Sequence, residues 1–362
     1  MADVKFIQTI QHNCDISDAR DNGIYSICTL VLKLRNLYKW EHDIEPWAEP
    51  EPSDLLDWIE TKENYWETLK DNDFLPLPVN GNNVDPYDLI SINSALDKPG
   101  LVYGAGYGRS LKSVFFLAEK LDEFSVEGIP VHVLGTEKAK ELSSPFAMLQ
   151  DGMIIIRREP IRFFFWDHIQ EIRSSTKASL HHALDQYGIL TDGKLDQERF
   201  KTKLDYLVDR EIPIFIYHEV GEKLEKTLDS NTLKRIISVF PDSIFELVGR
   251  GLKDILADTH PQGMVRFIID EQRESSLGFY VGFLAGLRKE LFPDITKVFD
   301  QFVQTKDWQL IEQARINCRE RNSRLAEKMA EITDRLDSES PERVQLRLSE
   351  EILTPLGLDA PA

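Results

Sequence analysis

Gly278, Gly282 and Gly286 stand four apart in the apolar stretch 276–286, and this register constrains the fold more than any other feature of the chain. On a helix, positions i, i+4 and i+8 line one side. Each interior glycine costs a helix about 1 kcal/mol against alanine. Three in register need a compensating contact, and close approach by a second helix is the contact that missing side chains permit. The stretch is shorter than the ~20 apolar residues of a membrane span. The three glycines are therefore read as helix-packing residues, against a helix of this chain or of a second copy.

The surrounding sequence agrees with a mainly helical domain over 171–336. Apolar residues recur at helical spacing in 174–187, 197–208, 233–239, 243–257 and 261–273, with caps or breakers between them. Residues 212–217 are ambiguous. Their β-branched content suggests a strand, and their continuation through Leu228 suggests a helix opened by Pro213. Residues 307–336 read as one long helix in which Ile311, Cys318, Leu325 and Ile332 repeat every seven residues, a short coiled-coil-like stripe. A mobile tail is expected over 337–362.

Toward the N-terminus, residues 1–75 read as a helical segment, with Ile24, Ile27, Cys28, Val31, Leu34 and Tyr38 on one stripe. Residues 76–170 change character and predict a small α/β domain. A short strand at 101–103 leads into Gly104, Gly106 and Gly108, and from Ser110 the apolar spacing suggests a helix. A second strand at 129–135, followed by a short helix capped at Thr136, completes a βαβ reading with a parallel pair. Gln150-Asp151-Gly152 is a hairpin turn, and 153–157 and 161–166 are read as further strands, although 163–166 suits the start of a buried helix equally well. The fold class is thus mixed α/β: a small α/β middle domain, a helical N-terminal segment and a mainly α C-terminal domain.

A formal charge of −19 disfavours duplex nucleic acid, which draws its binders through Lys and Arg, and disfavours anionic membranes for the same reason. Cys14, Cys28 and Cys318 form no CxxC pair, and no signal peptide or spanning segment is evident, so a reduced, cytoplasmic setting is expected.

Chemistry has two candidate locations. The first is the glycine loop. Its Gly104, Gly106, Gly108, Arg109, Ser110 and Lys112 match neither the dinucleotide fingerprint nor the Walker loop. A strand-to-helix turn with a basic first turn still suits an anion, with Arg109 as the clamp, and a phosphorylated small molecule is the ligand it would take. The second is His181, His182, His218 and Glu222, with Glu219 beside them. Imidazole and carboxylate together suit zinc or iron, although position 222 is Glu where H-E-x-x-H requires His. Asp15, Asp18 and Asp21 share one helical face and suit either a cation or a solvated helix start. No nucleophile elbow is present, and nothing names a cofactor. The leading expectation is a self-associating interaction or assembly protein whose partner is itself or another protein. The alternatives are an enzyme or sensor binding a phosphorylated molecule at residues 104–112, and a metal-dependent enzyme.

Overall fold

Helices precede and follow a five-stranded sheet, so the chain is a mixed α/β protein. The computed structural model describes residues 4–96, 100–108 and 111–358. They divide into one unit of Met1–Glu171 with Leu204–Asp209 and another of Ile172–Lys203 with Arg210–Ala362.

The first unit runs α1 (Val4–Asp21), α2 (Ile27–Glu41), α3 (Pro52–Glu67), β1 (Leu77–Val79), β2 (Asn82–Val84), α4 (Leu89–Leu96), β3 (Leu101–Tyr107), β4 (Ser113–Val126), β5 (Ile129–Lys140), β6 (Ala147–Gln150), β7 (Met153–Arg157) and α5 (Arg158–Gln170). The sheet order is β3-β4-β5-β7-β6, antiparallel throughout except for the parallel pair β5–β7. Glu127-Gly128 and Asp151-Gly152, all at positive φ, close the β4–β5 and β6–β7 hairpins. One sheet face packs Tyr103, Ala105, Phe115 and Leu117 on Phe6, Ile10 and Cys14 of α1 and Ile92 of α4. The other gathers Val102, Val114, Phe116, Ala118, Leu134 and Ile155.

The helix expected from Ser110 is the strand β4, and the expected βαβ unit is an antiparallel meander. Val114 to Ala118 are all fully buried because both sheet faces are covered here. A strand buried on both sides reads as a continuous apolar run, which periodicity cannot separate from a buried helix. For the same reason β5 continues through Thr136 as strand, and residues 161–166, read first as a strand, are helical within α5.

The second unit contains α6 (Lys177–Gln186), the hairpin of β8 (Leu190–Thr191) and β9 (Lys194–Leu195), and α7 (Gln197–Leu224) apart from its residues Leu204–Asp209, which belong to the first. There follow α8 (Ser230–Val239), α9 (Ile244–Asp258), α10 (Met264–Asp270), α11 (Glu274–Phe283), α12 (Gly286–Leu291), α13 (Asp294–Thr305), α14 (Trp308–Asp334) and α15 (Pro341–Leu348). Asp196, Asp229, Ser243 and Asp307 cap α7, α8, α9 and α14 by accepting a backbone N–H from the first turn. Residues 212–217 are helical, and α7 runs through Pro213 instead of starting there. Burial of Ile212, Ile214, Ile216 and Val220 outweighs the strand preference of the isoleucines and the hydrogen bond that proline removes.

The glycines of α11 meet α6. A Cβ on Gly278 would stand 2.7 Å from the Ser179 carbonyl oxygen, and one on Gly282 would collide with Leu180. Gly286 leaves the stripe: α11 ends at Phe283, and Gly286 opens α12 at φ +54 with nothing near its Cβ position. Ile311, Cys318 and Ile332 of α14 are buried in the core of their own unit, with Leu325 packed against it. The residues read as a tail carry α15, whose Val344 and Leu348 join that core together with Ile352 and Leu353.

Candidate metal centre

His218, Glu219 and Glu222 fall on consecutive turns of α7, so helical geometry alone places His218 and Glu222 on one face. Gly221 brings that face to α9. A Cβ at Gly221 would collide with the Ala257 carbonyl oxygen, so only glycine permits this approach. It sets His218 against Asp258, the last residue of α9. One nitrogen or oxygen from each of His218, Glu219 and Glu222 lies within 4.8 Å of the other two. Among the described residues this is the grouping of His, Cys and acidic side chains spaced to hold a metal ion.

Each donor but one is oriented by a second residue. His218 Nδ1 donates to Asp258 Oδ1 at 2.7 Å, which leaves Nε2 directed away, 4.0 Å from Glu222 Oε2. Asp258 is fully buried, and its other oxygen accepts from Arg288 at 2.5 Å and Tyr280 Oη at 3.2 Å. Lys253 Nζ holds Glu222 Oε1 at 2.5 Å. Glu219 is the exception: it is 6% exposed and makes no hydrogen bond or ion pair among the described residues. Burying a carboxylate without a hydrogen-bond partner is costly, and the nearby charges of His218 and Lys253 offset that cost only in part.

The charge balance follows from this arrangement. Burial pulls the His218 imidazolium down, yet the Asp258 hydrogen bond and the charges of Asp258, Glu219 and Asp254 raise it to about 10. Burial raises the Glu219 carboxyl to about 7, with Glu222 adding to the rise and His218 opposing it. Burial also acts to raise Glu222 and Asp258, but Lys253 and His218 hold the first below the ordinary range, and Arg288 and His218 the second. Asp254, one turn before Asp258, is raised by burial.

A carboxylate fixing one imidazole nitrogen so that the other can ligate is the usual outer arrangement of metal-bound histidine. Donors on one zinc ion stand roughly 3.4 Å apart, so closing on an ion requires side-chain shifts of about 1 Å. His218 and Glu222 are 20% and 27% exposed at their side chains, which leaves the open side facing solvent.

The structure brings together only part of the set read from sequence. His218 and Glu222 converge; His181 and His182 lie on α6, where His182 Nε2 pairs with Glu274 at 2.9 Å. Glu219 belongs to the group, and Asp258, Lys253 and Arg288 were not singled out. The i, i+4 acids Asp254 and Asp258 were the only available signal.

The glycine loop is a hairpin instead of a strand-to-helix turn. Gly104 lies opposite Phe116 across the β3–β4 pair and makes room for its ring; Gly106 borders Met148; Gly108 donates to the Lys112 carbonyl at 2.8 Å. Lys112 is buried, with its ammonium on Asp18 at 2.9 Å and the Ser17 carbonyl at 3.0 Å, so its charge is not displayed to an external anion. Arg109 and Ser110 lie outside the described residues. Asp15 is likewise engaged, by Lys62 at 3.0 Å, so Asp15 and Asp18 pair separately with lysines. No helix among the described residues is long and apolar enough to cross a membrane.

Two family models match the chain: the N-terminal domain of a family of unknown function (DUF6866) over residues 5–157, and the C-terminal domain of the same family over residues 162–351. No curated protein and no solved structure matches it significantly.

Proposed function

We propose that this chain, which belongs to the DUF6866 family, binds a divalent cation at His218, Glu219 and Glu222 and uses it for metal-assisted chemistry on water. The buried Glu219 carboxylate, unpartnered among the described residues, beside an imidazole whose second nitrogen is already held by Asp258 carries this reading. One nitrogen and two carboxylate oxygens suit Zn²⁺, Fe²⁺ or Mn²⁺. Three protein donors leave coordination positions for water and substrate, as catalytic sites do and closed structural sites do not. Metal-assisted hydrolysis is the reaction class such a donor set supports. The test is elemental analysis of protein purified without chelator, with thermal shifts on adding Zn²⁺, Mn²⁺ or Fe²⁺. About one equivalent of metal, lost in His218→Ala and Glu222→Gln, is expected. No bound metal and no shift with any of the three ions would end this reading.

A second reading, self-association, draws support from α2. Ile27 (81% exposed), Cys28, Val31 and Leu32 form an exposed apolar stripe on that helix. The α11 glycines and the α14 heptad face no longer argue for a partner chain, because both are occupied within the molecule. Light scattering should then show a dimer that Ile27→Glu/Val31→Glu converts to monomer; a monomeric parent protein at all micromolar concentrations removes the reading.

A further inference from the structure

The first unit contains a cavity of about 190 Å³ bounded by the sheet and by α4. Its walls are mostly apolar: Leu101 and Val102 of β3, Met153 and Ile155 of β7, and Leu89 and Ile90 of α4. Five polar residues also line it: Asn93, bonded to the Tyr103 backbone, Lys120, paired with Glu123, and Asp151 of the β6–β7 turn, together with His132 and Gln150. His132 lies opposite Ile155 and Gln150 opposite Met153, so the register puts both on the same sheet face, two positions apart along β7. Gln150 is 9% exposed, its Oε1 is buried without a partner, and its side chain makes no hydrogen bond among the described residues. His132 Nδ1 is also buried and unpartnered, while Nε2 lies 3.5 Å from Glu123 Oε2.

Buried side-chain amides are almost always hydrogen-bonded, so one bordering a cavity indicates a partner that the chain does not provide. Water alone fits poorly. A water needs two to four polar contacts, and the cavity exceeds the ~30 Å³ share of one molecule while offering mostly carbon. An apolar cavity of about 150 Å³ is known to hold a benzene ring. A primary amide has a donor and an acceptor side by side, and it pairs with an edge of the same kind, as glutamine does with adenine.

We propose that this cavity binds a small, neutral heteroaromatic molecule of one or two rings, its donor–acceptor edge on the Gln150 amide and its ring between Val102 and Ile155. Rotation about the last two torsions of Gln150 turns the amide to the ligand. The site lies in a different unit from the metal centre and does not depend on it.

The test uses the full chain, titrated with adenine, 2-pyridone and nicotinamide, with toluene as a ring lacking the edge. Ligand-observed NMR and thermal shift report binding. At least one of the three should bind saturably at sub-millimolar concentration and at least tenfold more tightly than toluene. Gln150→Leu and the isosteric Gln150→Glu should each weaken it about tenfold, and Val102→Phe, which fills the cavity, should abolish it. Thermal melts establish that each variant is folded, and a variant that fails to fold is replaced in the comparison by the other Gln150 substitution. Absence of saturable binding by all three probes overturns the proposal. So does binding that toluene matches, or binding indifferent to both Gln150 variants.

Discussion

Gly221 of α7 lies directly against the carbonyl of Ala257 near the end of α9, and this contact sets the distance between His218 and Asp258. Gly263 abuts the same oxygen from the other side. The carbonyls nearby are capped by α14, with Arg315 Nη1 donating to the Thr259 carbonyl at 2.6 Å and Arg319 Nη1 to that of Leu256 at 2.8 Å. The C-terminal end of α9, where the macrodipole is negative, is thus ringed by cations.

Gly221→Ala is expected to destabilise the second unit. Alanine gains up to about 1 kcal/mol of helix propensity. The collision with a backbone oxygen outweighs that gain, because two helices must separate; overpacking of this kind costs roughly 1–3 kcal/mol or more. Urea unfolding followed by a probe in the second unit, such as Trp308, measures the net effect. A neutral or stabilised variant would show that α7 and α9 can move apart freely.

Asp258→Asn should be among the most damaging isosteric changes, because it leaves Arg288 and His218 facing a neutral amide in a buried place. Breaking such a pair costs about 3–5 kcal/mol. The pH dependence has a definite sign. His218 titrates near 10 when folded and near 6.5 when unfolded, so its contribution is complete below about pH 6.5 and is lost as pH rises toward 10. Asp258 behaves oppositely: its contribution is present above the ordinary carboxylate range and is lost only in acid. The gap between melts of parent and variant should therefore narrow from pH 6 to 10, leaving the part due to Arg288. A constant difference would mean that His218 is not raised by Asp258.

Metal affinity should increase with pH. Ligation requires the His218 imidazolium to give up a proton, and below about pH 7 the Glu219 carboxyl as well, so the apparent affinity is expected to rise at least tenfold per pH unit between 6 and 8. Calorimetry with Zn²⁺ in two buffers of different ionisation enthalpy counts the protons released. Binding without proton release would place the ion elsewhere.

Gly104→Ala should destabilise the first unit by about 2 kcal/mol, since the new methyl group would occupy the space of the Phe116 ring on the paired strand. Phe116→Leu removes most of that ring. The double variant should recover part of the loss relative to the sum of the single changes, a coupling visible in a double-mutant cycle. Strict additivity would show that the two positions do not share this space.

Local pattern was enough to read most of the second unit. The spacing in 174–187, 197–208 and 243–257 marks α6, part of α7 and α9, and Asp307 marks the start of α14, because a helix closes its hydrogen bonds and selects its apolar face within a few residues. The Asp151-Gly152 hairpin was legible for the same reason, since positive φ at both turn residues is a local demand. The sheet was not. Val114 to Ala118 form a strand only because β3, β5, α1 and a second apolar cluster cover them, and pairing between residues as distant as Val131 and Ile154 leaves no periodic trace.

For the site, the sequence by itself determined that His218 and Glu222 share a face once their segment is helical, and that Gly278 and Gly282 need a close neighbour. Tertiary structure alone decided that His181 and His182 stay on α6, that Lys112 is held by Asp18, and that Asp258 and Lys253 meet α7 with Arg288 pairing to Asp258. The reason is reach. Helical spacing orders side chains within one turn or two, whereas the meeting of α7, α9 and α12 depends on how their apolar faces pack, and on a single glycine, Gly221, that lets two of them touch.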